Sequence, residues 1–165
     1  MCRPSGWRPV SRASLSCLDC VSSVHEGVAR RLAEFESFVT LDYARIDALR
    51  GRLDFVDCGH PPILHYHRKS RRCEPLRGKN IPLGFSDKET YEQMSVPYED
   101  GDMFVFCSDG VTETRSRDGD LFGQDRLIAL AESAGASGDP EEVAKAIRAA
   151  LTEFAEGDRV GDDLT

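Results

Sequence analysis

Hydrophobic and polar residues repeat along this chain with two different periods, and the switches between them mark its elements. In SVHEGVARRLAEF, residues 23–35, Val24, Val28, Leu32 and Phe35 recur at helical spacing. Ser23 and Glu26 have the spacing of a capping box, in which each side chain satisfies a backbone N–H at the helix start. A short amphipathic helix is therefore predicted. Residues 1–22 show no period and contain Pro, Ser and Arg. They read as an irregular arm ahead of one domain over residues 23–165.

The period then shortens. FVTLDYARI (38–46) and RLDFVDC (52–58) are rich in β-branched and aromatic residues and flank a turn at Arg50 and Gly51. PILHYH (62–67) and RCEPL (72–76) predict a second hairpin with the basic tip RKSR. YEQMSVP (91–97) alternates weakly. After the turn signal of Glu99, Asp100, Gly101 and Asp102, the run MFVFC (103–107) is apolar on both faces, as a central buried strand would be.

Helical spacing returns for the remainder. In GQDRLIALAESA, Leu127, Leu130, Ala131 and Ala134 share a face. In DPEEVAKAIRAALTEFAEG, Asp139 is placed to cap, Pro140 takes the first helical position and Glu142 completes a box. Val143, Ile147, Leu151 and Phe154 form the apolar stripe, and Gly157 is the stop. Helix, several strands, then two helices, with no strand–helix–strand alternation, predicts an α+β fold with helices packed on antiparallel sheet.

Composition narrows the classes. A length of 165 residues suits one domain with a normal core. No run of about 18 apolar residues occurs, so no membrane span is expected. Asp19 interrupts the short apolar stretch near the N-terminus, which argues against a signal peptide. The six cysteines are scattered, and Cys58 and Cys107 sit inside strand patterns, so buried free thiols in a cytoplasmic protein are expected. Cys17 and Cys20 form one C-x-x-C without the second pair a zinc site needs. Charge is divided unevenly. Residues 1–80 hold 14 Lys/Arg against 9 Asp/Glu, and residues 81–165 hold 7 against 20. The acidic half disfavours nucleic acid and suits cations.

Two acidic motifs carry candidate chemistry. Asp109 and Gly110 follow the apolar run 103–107 by two residues, where a strand end holds a carboxylate in place. Asp162 and Asp163 stand together in GDDLT at the C-terminal end. Hard cations such as Mg²⁺ and Mn²⁺ take oxygen ligands and keep several waters, so one or two carboxylates per ion suffice. Each motif alone is commonplace: Asp-Gly is usually a turn, and paired aspartates are usually a solvated cap.

In order, FVTL (38–41), GHPP (59–62), PLG (82–84), GD (101–102), SDGVTE (108–113), LFG (121–123) and DDLT (162–165) resemble the metal-dependent protein phosphatase 2C superfamily. They resemble most its bacterial branch of stage II sporulation protein E and sigma-factor regulatory phosphatases. The resemblance implies an antiparallel β-sandwich flanked by helices and paired Mn²⁺ or Mg²⁺ ions. It also implies hydrolysis of phosphoserine or phosphothreonine on a regulatory phosphoprotein such as an anti-anti-sigma factor. On the family pattern Asp109 and Asp162 are metal ligands and catalytic residues, with Gly110 and Asp163 beside the metal. The pattern also breaks. The Gly-Gly-Asp strand and Asp-x-x-Gly-x-Gly segment expected before FVTL are absent, and Asp19 has no glycine at the needed offset. No strand follows DDLT. The expectation is thus a phosphatase 2C-like domain truncated at its N-terminus and lacking its last strand, with open edges that favour self-association. A catalytically inactive binding module is the alternative.

Other residues are weighed beside these. His60 reads as a turn histidine. His65 and His67 share a strand face but lack a visible third ligand, so they read as a surface pair. Arg68, Lys69, Arg71 and Arg72 read as a solvated tip before a phosphate or acidic docking site. Thr112 and Glu113 read as the start of a turn.

Overall fold

A computed structural model describes residues 15–86 and 88–155. Helix α1 (Cys17–Glu34) leads into β1 (Leu41–Asp47), β2 (Arg52–Cys58), β3 (Ile63–His67), β4 (Arg72–Leu76), β5 (Met94–Pro97) and β6 (Met103–Val105). Helices α2 (Asp109–Glu113), α3 (Gly123–Gly135) and α4 (Pro140–Phe154) follow. Strands β1-β2-β5 form one antiparallel sheet and β4-β3-β6 the other. Pro97 and Pro75 fall on the edge strands β5 and β4, where a missing N–H breaks no interior ladder.

The two sheets face each other through Leu53, Phe55, Ile63 and Leu76, with Ala44, Val96 and Phe104 against them. The opposite face of β2 offers Val56 and Cys58 to Cys17, Val21, Leu83 and Tyr91, so α1 covers the first sheet. Leu64 and Tyr66 of β3 meet Leu127, Ala131, Val143, Ile147 and Leu151, so α3 and α4 cover the second. Alternation along β2 and β3 thus builds three apolar layers: the helices on antiparallel sheet follow the pattern, and the helix-flanked sandwich is the one the family resemblance implies.

Several expectations are corrected. The arm read over residues 1–22 gives way to helix at Cys17, six residues before the predicted start. Ser16 and Asp19 make the capping box: Ser16 Oγ accepts from Asp19 N at 3.0 Å, and Asp19 Oδ2 accepts from Ser16 N at 2.8 Å. The buried stripe is accordingly Cys17, Val21, His25 and Ala29, while Val24 and Phe35 are exposed. His25 is tolerated inside because Tyr91 pairs its hydroxyl with Nδ1 at 2.9 Å.

Strand β6 is a further correction. Among the described residues it lies at the edge of its sheet, paired with β3 alone. It is apolar on both sides because Phe104 faces the other sheet while Met103 and Val105 face the helices.

The last helix follows its sequence more closely. Asp139 Oδ1 accepts from Glu141 N at 2.9 Å with Pro140 in the first turn, and Val143, Ile147 and Leu151 are buried. No Glu142 box forms. The predicted stop at Gly157 lies outside the described residues.

Candidate functional site

The chain leaves β6 at Val105, and three residues later Ser108, in extended backbone, precedes α2. Asp109 is the first residue of that helix and is exposed. Thr112 Oγ1 donates to the Asp109 carbonyl at 3.1 Å, and Thr114 Oγ1 donates to the Gly110 carbonyl at 2.7 Å. Thr112 and Glu113 therefore belong to α2 rather than opening a turn. Val111 anchors α2 in the α3–α4 core. Just downstream, Phe122 is buried, packs edge-on to Phe154 and donates its N–H to the Thr114 carbonyl at 2.8 Å. SDGVTE and LFG are thus one unit: the second locks the helix that presents Asp109.

FVTL, GHPP and PLG converge as well. Val39 and Leu83 exchange backbone hydrogen bonds at 2.9 Å, and Thr40 Oγ1 meets His60 Nδ1 at 3.1 Å. Gly84 has φ +87°, and a Cβ there would lie 2.5 Å from the Cβ of Leu32. Only glycine lets this loop approach the end of α1 so closely. His60 holds a turn, as its pattern suggests, with its N–H on Asp57 Oδ1 at 3.1 Å.

Sequence reasoning missed Asp42. On β1 it pairs in register with Asp57 of β2, so two carboxyl groups share the inter-sheet face. Asp57 is satisfied, accepting from His60 N and, at 2.8 Å, from Gly78 N. Asp42 Oδ1 is buried with no hydrogen-bond partner among the described residues. Burial, and then the Asp57 charge, push its carboxyl up to about 7. Burial and then the Asp42 charge also raise the Cys107 thiol, which places Asp42 toward the strand end that leads to Asp109. The available signal was a single Asp at an inward position of FVTLDYARI.

His65 and His67 are not a surface pair. His65 is buried, stacks on Phe104 at 4.5 Å and sets Nε2 3.0 Å from Asp102 Oδ2. The basic tip is solvated as its pattern suggests, with Arg68, Lys69, Arg71 and Arg72 all exposed, though Arg68 and Lys69 are tied to neighbours. Arg68 Nη1 donates to the carbonyls of Gly135 and Ala136 at 3.1 and 2.7 Å, capping α3, and Lys69 pairs with Glu99 at 2.6 Å. Asp19 is engaged in its capping box. The cysteines among the described residues are free, and Cys17 donates its thiol to the Asp54 carbonyl at 3.3 Å.

Asp162 and Asp163 lie outside the described residues. Those that are described bring three potential metal ligands together once, in a group that does not include Asp109. Asp109 offers a hard oxygen donor of the type Mn²⁺ and Mg²⁺ take, but the described residues alone do not complete a ligand set around it.

The Stage II sporulation protein E (SpoIIE) family matches residues 6–165. The chain belongs to that family. It is 33% identical over 94 residues to phosphoserine phosphatase RsbU of Bacillus subtilis, a match covering 57% of this chain and 28% of that protein. It is 26% identical over 111 residues to Protein IcfG of Synechocystis, covering 67% of this chain and 17% of IcfG. The chain therefore spans under a third of the curated relatives it matches. The SiaA-PP2C domain of Pseudomonas aeruginosa superposes with a TM-score of 0.75 at 18% identity, over 92% of this chain and 58% of that one. The Mn-presoaked phosphatase domain of SpoIIE from Bacillus subtilis gives 0.64 at 15% identity, over 99% and 74%. The fold is that of the phosphatase 2C-like domains, and the chain is a domain of this phosphatase family. No helix among the described residues is long and apolar enough to cross a membrane.

Proposed function

We propose that this domain hydrolyses phosphoserine or phosphothreonine on a regulatory phosphoprotein, such as an anti-anti-sigma factor, with Mn²⁺ or Mg²⁺ as cofactor. The observation that carries the reading is Asp109: an exposed carboxylate on the first residue of α2, held there by the packed SDGVTE–LFG unit. The names of two relatives support it, RsbU as a phosphoserine phosphatase and SpoIIE as a phosphatase studied with Mn. Asp109 and Asp162 are the proposed catalytic metal ligands, with the Gly110 carbonyl and Asp163 beside them. A bound divalent ion would supply positive charge for the phosphoryl oxygens and a more acidic water. The protein's own part is to hold Asp109 still through Val111 and Thr112. The domain is proposed to work in the cytoplasm.

A second reading, an inactive module that binds a phosphoprotein, is favoured by one observation: residues 1–37 contain no Gly-Gly-Asp or Asp-x-x-Gly-x-Gly segment. Hydrolysis of p-nitrophenyl phosphate by the purified chain, with Mn²⁺ and with EDTA, separates the two. Turnover that requires Mn²⁺ and disappears in Asp109→Ala, with an unchanged far-UV spectrum, upholds the enzyme. Turnover indifferent to Mn²⁺ leaves the binding module.

A further inference from the structure

At the other end of β6 from Asp109, two side chains of β3 meet one from the turn before β6. The β3–β6 register pairs His65 with Phe104 and Tyr66 with Met103, and one step further sets His67 opposite Asp102. His65 and His67 lie two apart on β3 and point to the same face, their rings 3.9 Å apart. His65 Nε2 is 3.0 Å and His67 Nδ1 3.8 Å from Asp102 Oδ2. One ligand atom from each residue lies within 4.8 Å of the others.

We infer that His65, His67 and Asp102 form a binding site for a Zn²⁺-class transition-metal ion, separate from the Asp109 edge and independent of the phosphatase reading. Two imidazoles and one carboxylate are the donor set of zinc and its neighbours rather than of Mg²⁺. Tetrahedral Zn²⁺ with bonds near 2.0–2.1 Å spaces its ligand atoms about 3.3 Å apart. The two separations from Asp102, 3.0 and 3.8 Å, bracket that spacing, and with all three ligand atoms within 4.8 Å of one another rotamer shifts would admit an ion.

The surroundings suit a metal ligand set. His67 Nε2 meets Glu74 Oε1 across the hairpin at 3.0 Å. A carboxylate there keeps the proton on Nε2 and leaves the Nδ1 lone pair toward Asp102, the usual outer partnership of a metal-bound histidine. Asp102 is fixed by two backbone donors: Oδ1 accepts from Arg68 N at 2.9 Å and Oδ2 from Glu99 N at 3.0 Å. His65 is immobilised by its stack on Phe104. His67 is one-third exposed, which gives an ion a way in, while Asp102 is buried. Binding would require the neutral His65 ring to carry its proton on Nδ1 so that Nε2 offers a lone pair, and it would pin the β3–β4 hairpin to the turn at residues 99–102.

Calorimetric titration of the purified chain with Zn²⁺, in excess Mg²⁺, tests this. Wild type should bind about one ion per chain through these residues. His67→Gln, a change at an accessible position, should weaken binding about tenfold or more, and Glu74→Gln should weaken it by a factor toward the lower end of 10–100. Asp109→Ala and Cys20→Ser should leave it unchanged. Absence of Zn²⁺ binding overturns the site. So does binding that His67→Gln and Glu74→Gln leave intact, or binding lost in Cys20→Ser, which would put the ion on thiolates.

Discussion

Removing the charge of Asp42 should stabilise this domain, and only above mildly acidic pH. The carboxyl stands between the sheets opposite Asp57, with Oδ1 buried and unpartnered, and titrates near 7 in the fold against an ordinary 3.8. A folded value above the unfolded one means that ionisation opposes folding. The penalty is absent below about 3.8, grows as pH rises, and is complete above about 7. At 1.36 kcal/mol per pH unit the full linkage is about 4 kcal/mol. The side chain is only part-buried, so solvent screening reduces this to about 2 kcal/mol. Asp42→Asn keeps shape and volume while removing the charge. At pH 8 it should raise the melting temperature by roughly 4–8 °C, taking about 2–4 °C per kcal/mol for a chain of this size. At pH 4 the two proteins should melt together. Differential scanning calorimetry across that range, without divalent ions, is the assay. A gain that does not change with pH, or a loss at pH 8, would refute the desolvation reasoning.

Asp54 should behave with the opposite sign. It is fully buried, and although burial pushes its carboxyl up, Ser95, Arg45 and Arg52 hold it below the usual range. Its contribution is present above about 3.8 and lost as pH falls further. Asp54→Ala should cost about 3 kcal/mol, the low end for a broken buried pair because both arginines can turn toward water; urea unfolding at pH 7 measures it. Gly84→Ala should cost about 1–3 kcal/mol from its left-handed backbone and the clash with Leu32, read as a lower urea midpoint with an unchanged slope.

The local and periodic features were legible in the sequence. The α4 stripe of Val143, Ile147 and Leu151, the Asp139 cap and the β3–β4 hairpin emerged as patterned, because each rests on residues a few positions apart. Motif order gave the family for a similar reason: seven short matches in succession do not depend on knowing their contacts. Tertiary structure decided what depends on distant partners. Helix α1 turned a different face inward because β2 and Tyr91 received Cys17, Val21 and His25. Strand β6, apolar on both sides, became an edge because sheet order is set by long-range pairing. Asp42 became a carboxyl with a raised pKa only when the packed sheets buried it and Asp57 arrived across the ladder. His65 and His67 gained the neighbouring carboxylate of Asp102, 37 positions beyond His65, through the β3–β6 register. Periodicity specifies which face a side chain takes, and the pairing of distant strands specifies what it meets there.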